Sequence, residues 1–413
     1  GNLEKITRID DLTERDLIEG QFDNYGAELR FLQRYPAGKN LRGALASGIR
    51  YYNGTTLSKQ GKADDGYDAN FEFLNPNNLE GSDYSFPSQN ASAFLENVLW
   101  VGKKFSFSVG GRVEYISTSA EGYYREMNYH PLTGALLFDT TYTESKSNAR
   151  TIFLGGVGFS YHPTKRTEVY GNIAQNYRGI NFSDIRILNP NQVVDPNIQD
   201  EKGFNADLGY RGQTKSLIYD ASVFFLYYDN KIGVINEKIN DYEFVRLRKN
   251  VGRAYSTGIE LFAEKRFKKT DSAKIYYSVF GNVSAVYARY GKHEETSLDQ
   301  KWVELVPPLT AKLGVRLTVH KLKFSLLGSY VHRHYSDGTN AELDPNAVAG
   351  IIPSYYVMDF GTTYELNKYF QLSGGVNNFT NSKYFSRRAT GYPGPGIIPS
   401  DGINFYLTLG IKL

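Results

Sequence analysis

The 413-residue chain contains no cysteine. That one absence removes a disulfide framework, a thiolate metal site and a cysteine nucleophile together. Histidine is scarce too, with six residues and none in a catalytic-looking motif. No stretch approaches the roughly 18 consecutive apolar residues that a membrane helix needs, and the mean hydropathy is −0.44. A bundle of membrane helices is therefore excluded. A transmembrane β-barrel is not, because its strands alternate apolar-out with polar-in and keep the average hydropathy low. Charge is nearly balanced at +3 with 22% charged residues, so the chain has no basic field of the scale that nucleic acid requires. No nucleic-acid partner is expected.

The chain is rich in 33 Tyr, 25 Phe and 40 Gly, a composition of strands and turns. Alternation with period 2 runs through it. Phe105, Phe107, Val109, Val113 and Tyr115 share one face, opposite Ser106, Ser108, Arg112 and Glu114. Leu309, Ala311, Leu313, Val315, Leu317 and Val319 oppose Thr310, Lys312, Arg316, Thr318 and His320. At the C-terminus Phe405, Leu407, Leu409, Ile411 and Leu413 form a third apolar face. Similar patterns occur near 24–35, 40–53, 90–101, 150–161, 166–178, 203–211, 216–229, 254–266, 274–288, 323–335, 354–365 and 369–379, giving fifteen strands. The facing of 90–101 is ambiguous, because Phe94, Glu96, Val98 and Trp100 mix both characters.

Short polar turns at 34–40, 101–104, 162–167, 211–216, 267–274, 320–323 and 366–369 alternate with long polar segments. The long ones fall near 55–88, 118–148, 179–202, 230–252, 289–305, 336–353 and 380–401. An up-and-down meander with one short-turn rim and one long-loop rim is the plan of an outer-membrane barrel. A propeller would repeat at roughly 40 to 50 residues with shorter strands, and no such repeat is present. Aromatics end the apolar faces, as Tyr219 and Tyr227 bracket Ala221, Val223 and Phe225, in the manner of interfacial girdles. The expected fold is all-β, a transmembrane antiparallel up-and-down barrel.

Fifteen is odd, whereas single-chain bacterial barrels have even strand numbers. Either Asn2 to Ile9 supplies a short sixteenth strand, or the chain is the later part of something larger. Eight residues fall below the roughly 9 to 11 that a spanning strand requires, which favours the second expectation.

Three stretches carry a family resemblance: Asn250-Val-Gly-Arg-Ala-Tyr-Ser-Thr-Gly-Ile-Glu260, Gly375-Val-Asn-Asn-Phe-Thr-Asn-Ser-Lys-Tyr-Phe385, and 384–402 with its Arg387-Arg388 pair and Pro-Gly run. They resemble late strands and the last extracellular loop of TonB-dependent outer-membrane transporters, the third stretch being most like ferric-dicitrate-type members. The resemblance implies that residues 1–413 are one barrel domain, about the last fifteen strands of a 22-stranded, plug-filled barrel. The plug domain, the TonB box and the first strands have no counterpart in the sequence. Leu413 also stands where the family usually has an aromatic, and Ile403 where a basic residue is expected.

That likeness implies import of an iron chelate, ferric citrate or a similar siderophore, across the outer membrane of a Gram-negative bacterium. The implied partners are outer-membrane lipid, the chelate and the TonB-ExbB-ExbD complex, the last through the missing N-terminal part. No cofactor is implied beyond the transported chelate. For an anionic ligand, arginine is the suited residue, since its planar fork holds carboxylates bidentately and stays charged. On the long-loop side the candidates are Tyr177, Arg178 and Arg186 in one segment, Arg333 in another, and Arg387 with Arg388 in the last loop. His332 and His334 flank Arg333 at a spacing that places both on one strand face, a weak metal-ligand pair. The inward charges Arg112, Glu114, Asp207, Glu260, Lys312 and Arg316 are expected to pair across the lumen or to contact a plug. Two other readings are a passive sixteen-stranded porin and an outer-membrane hydrolase, the latter without catalytic residues to assign.

Overall fold

The computed structural model describes residues 14–64, 71–130, 133, 135–181, 184, 192–240, 243–270, 275–291, 296–343, 347–389 and 396–412. Asn2 to Ile9, Arg186 and Leu413 lie outside them.

One antiparallel meander dominates. β1 (Arg15–Gly38) pairs with β2 (Leu41–Ala63), β2 with β3 (Ser82–Val101), β3 with β4 (Phe105–Tyr129), β4 with β5 (Leu136–Thr164) and β5 with β6 (Thr167–Arg178). After the three-residue β7 (Gln192–Val194) the order resumes with β8 (Glu201–Gln213), β9 (Leu217–Asn240), β10 (Glu243–Thr270), β11 (Ile275–Tyr290), β12 (Leu309–Val319) and β13 (Leu322–Val331). Two-residue strands β14 (His334–Tyr335) and β15 (Ile351–Ile352) form a separate hairpin. β16 (Tyr355–Glu365) and β17 (Phe370–Asn377) return to the meander, β18 (Phe385–Ala389) and β19 (Gly396–Pro399) make a second small hairpin, and β20 (Asn404–Ile411) ends the order. β7 adds in parallel to β10, so the sheet has sixteen strands, fifteen of them in the sequential path. Those fifteen are the strands that the alternation predicts. Among the described residues no pair joins β1 to β20, and the sheet is an arc with an edge at each end.

Register explains why the alternation is so regular. Leu29 lies opposite Ile49, Ile49 opposite Ala93, Ala93 opposite Val113 and Val113 opposite Phe153. Further round, Val279 meets Val315, Val315 meets Leu326, Leu326 meets Phe360, Phe360 meets Val376 and Val376 meets Phe405. Apolar residues thus line up across strand after strand to form one outward band, and a slip of one residue anywhere would turn a whole strand over. The ambiguous strand is settled by the same register. Ala93 and Leu95 belong to the outward face, and Phe94 and Glu96 to the inner one.

Two of the long polar segments are corrected by the structure. Most of 118–148 and of 230–252 is strand, because β4–β5 and β9–β10 continue beyond the apolar band as paired hairpins. Polar and apolar residues mix along such a projection, with Ala120 and Ile235 buried under loops, so its hydropathy does not mark it as strand, while cross-strand pairing still satisfies its backbone. Arg125 and Asp139 clasp the first projection through two hydrogen bonds of 2.6 Å, and the guanidinium holds the Asp139 carboxyl below its ordinary range.

Of the inward charges, Arg112, Arg316 and Asp207 find partners on their own or nearby strands. Arg112 pairs with Glu114 at 3.0 Å on its own strand, Arg316 reaches Glu264 at 3.7 Å on a nearby strand, and Asp207 accepts a hydrogen bond from Asn172. These bonds run along the wall, not across the lumen, since side chains reach neighbouring strands about 5 Å away far more easily than an opposite wall.

One glycine tests the tightness of the wall. A Cβ on Gly203 would lie 1.9 Å from the Tyr227 carbonyl oxygen and 2.5 Å from Asn176 Oδ1. Backbone cannot yield as a flexible side chain can, so Gly203→Ala is expected to lower stability by about 1–3 kcal/mol. The check is the midpoint of unfolding, followed by heat-modifiable gel mobility, and an unchanged midpoint would contradict the close approach.

Candidate functional site

An arc-shaped wall has no central core, and the buried apolar clusters sit where loops fold onto its inner face near the long-loop rim. Tyr84, Phe86 and Ala120 pack with Ile180 in one cluster. Ile235, Val251, Ala254, Ala288 and Tyr290 pack with Leu298 and Val303 in the other. The segments following β6 and β11 are therefore anchored at the mouth, where their polar residues can face a ligand.

The first anchor is a buried charge network. Arg150 Nε donates to the Tyr177 hydroxyl at 2.9 Å and lies 2.9 Å from Asp200 Oδ2, and the Tyr177 hydroxyl donates to the same Oδ2 at 2.6 Å. The remaining Arg150 donors reach Thr118 Oγ1 at 3.0 Å, Asn148 O at 3.1 Å and Ile180 O at 2.9 Å. Asp200 Oδ1 accepts the Ile180 N–H at 2.8 Å. A few ångströms along the rim, Arg178 Nη2 holds Asp184 bidentately at 2.8 and 3.0 Å, while its Nη1 meets Glu201 at 3.1 Å. Both carboxylates are buried. Tyr177 and Arg178 are thus engaged in fastening the segment after β6 to the wall.

The last loop divides its arginine pair. Arg388 turns inward, donating to Ala347 O at 3.0 Å and to Ile351 O at 3.1 Å, with its guanidinium 5.3 Å from the centre of the Phe385 ring. It pins the segment before β16. Arg387, the neighbouring residue on the opposite strand face, is exposed and makes no hydrogen bond or ion pair among the described residues. It lines a polar cavity of about 720 Å³ with Asp359, Asn377, Asn378, Ser400, Asp401 and Asn404. Asp359 Oδ1 accepts the Asn378 N–H at 2.8 Å.

Asn378 builds the floor of this cavity. Its backbone has φ 47°, a left-handed conformation that asparagine tolerates better than most residues. Its side chain donates to Ser382 O at 2.9 Å and to Asp401 O at 3.2 Å, and its Oδ1 accepts the Ser382 N–H at 2.8 Å. The Asn-Asn-Phe-Thr-Asn run therefore works as a knot that sets the start and end of the loop side by side.

Arg333 is exposed and joins Trp302, Val306, Pro308, His332 and His334 around a separate cavity of about 240 Å³. His332 Nδ1 bonds the Tyr330 hydroxyl at 2.8 Å and His334 Nδ1 the His332 carbonyl at 3.0 Å. Among the described residues no group of three His, Asp or Glu could hold a metal. The candidates consequently fall into three places on the rim. Sequence reasoning missed Arg150, Asp184, Asp200, Glu201, Asp359 and Asn378; only Asn378 left a local sign, in the Asn-rich turn after β17.

Residues 7–379 match the family described as TonB dependent receptor-like, beta-barrel. No curated protein matches in sequence. Among solved structures, the ferric citrate transporter FecA superposes with a TM-score of 0.76 at 17% identity, covering 96% of this chain and 55% of FecA. The siderophore receptor PiuA from Acinetobacter baumannii gives 0.70 at 14%, covering 95% and 56%. The ferric yersiniabactin uptake receptor FyuA from Yersinia pestis gives 0.68 at 16%, covering 96% and 55%. At these identities the likeness establishes the fold, and the chain spans just over half of each relative. The matched proteins are receptors and transporters, not enzymes. Taken with the family match over nine-tenths of its length, the meander, outward apolar band and loop-bearing rim make this chain a member of the TonB-dependent receptor β-barrel family.

Proposed function

We propose that the chain forms the later wall and mouth of an outer-membrane receptor that imports an iron chelate, with ferric citrate or a similar carboxylate-bearing siderophore as the cargo and no resident cofactor. The observation that carries this reading is Arg387, an exposed guanidinium over a polar cavity of about 720 Å³. Such a group offers a planar fork to a carboxylate, and the surrounding amides of Asn377 and Asn404 supply further donors. Import would draw on the TonB-ExbB-ExbD complex through a preceding plug-bearing part, and the outward band would face outer-membrane lipid. The family match does not favour a passive porin.

Calorimetric titration of the full-length receptor with ferric citrate tests the proposal, with a ferric catecholate and iron-free citrate as comparators. Saturable binding of ferric citrate, stronger than of the other two, is expected. Equal or absent binding would overturn the ligand class.

A further inference from the structure

The cavity beneath Arg387 holds charges of both signs that do not meet. Arg387 enters it from the hairpin of β18 and β19, Asp359 from β16, and Asp401 from the end of the last loop, just before β20. Register fixes the inner placement of Asp359. Phe360 stands opposite Leu326 and Val376 in the outward apolar band, so its neighbour Asp359 faces the other way. Asn377 and Asn404 share that inner face as a cross-strand pair, bonded side chain to side chain at 2.8 Å. All three charged residues line one cavity, yet among the described residues neither carboxylate forms an ion pair and Arg387 forms none.

The separation is built into the backbone. Asn378 donates its N–H to Asp359 Oδ1 at 2.8 Å and its side-chain amide to the Asp401 carbonyl at 3.2 Å, so the Asn-rich knot, not Arg387, sets where both acids stand. The second Asp359 carboxylate oxygen and both of those of Asp401 have no donor among the described residues. Asp359 is half-buried and Asp401 exposed. The other cations of the loop are turned elsewhere. Lys383 is outside the cavity lining and donates to Asn381 Oδ1 at 3.4 Å, and Arg388 is bonded to the carbonyls of Ala347 and Ile351. One guanidinium against two carboxylates leaves the lining with a net negative charge.

Opposite charges that share a cavity without pairing each keep their attraction for a ligand that bears both signs. A wholly anionic chelate gains the Arg387 fork but meets two like charges beside it. A chelate that also carries a protonated amine gains all three, since an ammonium has three donors to offer and the acids have open acceptor positions. The cavity, at about 720 Å³, has the size of a small-molecule site and leaves room for both groups. We propose that Asp359 and Asp401 are specificity-determining residues, selecting a carboxylate chelate that also bears a protonated amine. The inference rests on the reading of this cavity as the chelate site and narrows the cargo within it. The carboxylate of the cargo lies on Arg387, and its ammonium lies between Asp359 and Asp401.

The test is calorimetric titration of the full-length receptor with three ferric chelates: that of the citrate monoamide of ethylenediamine, with its free ammonium, that of the same ligand N-acetylated, and ferric citrate. Wild type should bind the ammonium chelate about 10- to 100-fold more tightly than its acetylated counterpart, the range of a charge-assisted hydrogen bond. The double variant Asp359→Asn, Asp401→Asn should lose most of that advantage with its unfolding midpoint unchanged, because asparagine keeps an oxygen for the Asn378 N–H. The same variant should bind ferric citrate about threefold more tightly, the effect of lifting a like charge that acts through a water-like medium. A merely structural role for the acids would give no such gain. Asp401→Asn alone carries the same signs with smaller changes should the double variant fold poorly. Equal binding of the ammonium and acetylated chelates by wild type, or an advantage that survives in the variants, would overturn selection by the acids. If both chelates then still lose affinity in Arg387→Ala, the chelate site itself stands. Absence of binding by either chelate, or binding indifferent to Arg387→Ala, would overturn the chelate site and this inference with it.

Discussion

Replacing Arg150 by methionine is expected to release the segment after β6 from the wall. The side chain is only 12% exposed, as is its partner Asp200, so removing the cation strands a carboxylate where water cannot solvate it well. Breaking a buried pair by removing one member costs about 3–5 kcal/mol. The low end applies here, because Asp200 keeps the Ile180 N–H and the Tyr177 hydroxyl. At about 1.4 kcal/mol for each factor of ten, roughly 3 kcal/mol corresponds to about a hundredfold faster opening. Amide hydrogen exchange at Ile180 and Ile198 reads that opening directly, while the apolar band of β8 to β13 should keep its protection. Arg150→Lys should not rescue it, since one ammonium cannot serve Thr118, Asn148, Tyr177, Ile180 and Asp200 together. Arg178→Met should open the same segment, because it strands Asp184 and Glu201, whose side chains are 5% and 7% exposed, with only backbone N–H donors from Asn181 and Ile232 left to them. Equal exchange in wild type and Arg150→Met would remove the network from any account of how the mouth is held.

That network also shows where sequence reading stops. The wall was legible because lipid on one side and water on the other impose a period of 2, and one-residue slips are costly over every strand. All fifteen meander strands follow from that period. The projecting hairpins were not legible, because at 118–129 and 230–240 the sequence mixes polar and apolar residues and leaves no clear hydropathy contrast between alternate positions. Among the candidate residues, Tyr177 and Arg178 show the same limit. Their residue types suit a ligand, but Asp184, Asp200 and Glu201 come to them only when the chain folds back onto the rim. Nothing in the spacing of Arg178 and Glu201 signals that a guanidinium will be spent on structure. The pair at 387 and 388 is the sharpest case, since adjacent strand residues point to opposite faces and so must have different surroundings.

From that opposition follows a result that separates the two arginines. Arg387→Ala should weaken ferric citrate binding by the full-length receptor about 10- to 100-fold, as expected for loss of a charge-assisted hydrogen bond worth roughly 1.5–3 kcal/mol, with the unfolding midpoint unchanged. Arg388→Ala should do the reverse. It leaves the carbonyls of Ala347 and Ile351 without their donors, so the segment before β16 should become more open to protease while affinity falls less. Ionic strength supplies a control independent of folding. Raising salt from 0.01 to 0.15 M shortens the screening length from about 30 to 8 Å, which should weaken wild-type binding and affect Arg387→Ala less. A variant at 387 that binds like wild type would exclude this cavity as the chelate site even if the receptor binds ferric citrate. Wild-type protein that fails to bind it would exclude the ligand, leaving the division of labour between Arg387 and Arg388 to stand on the protease result alone.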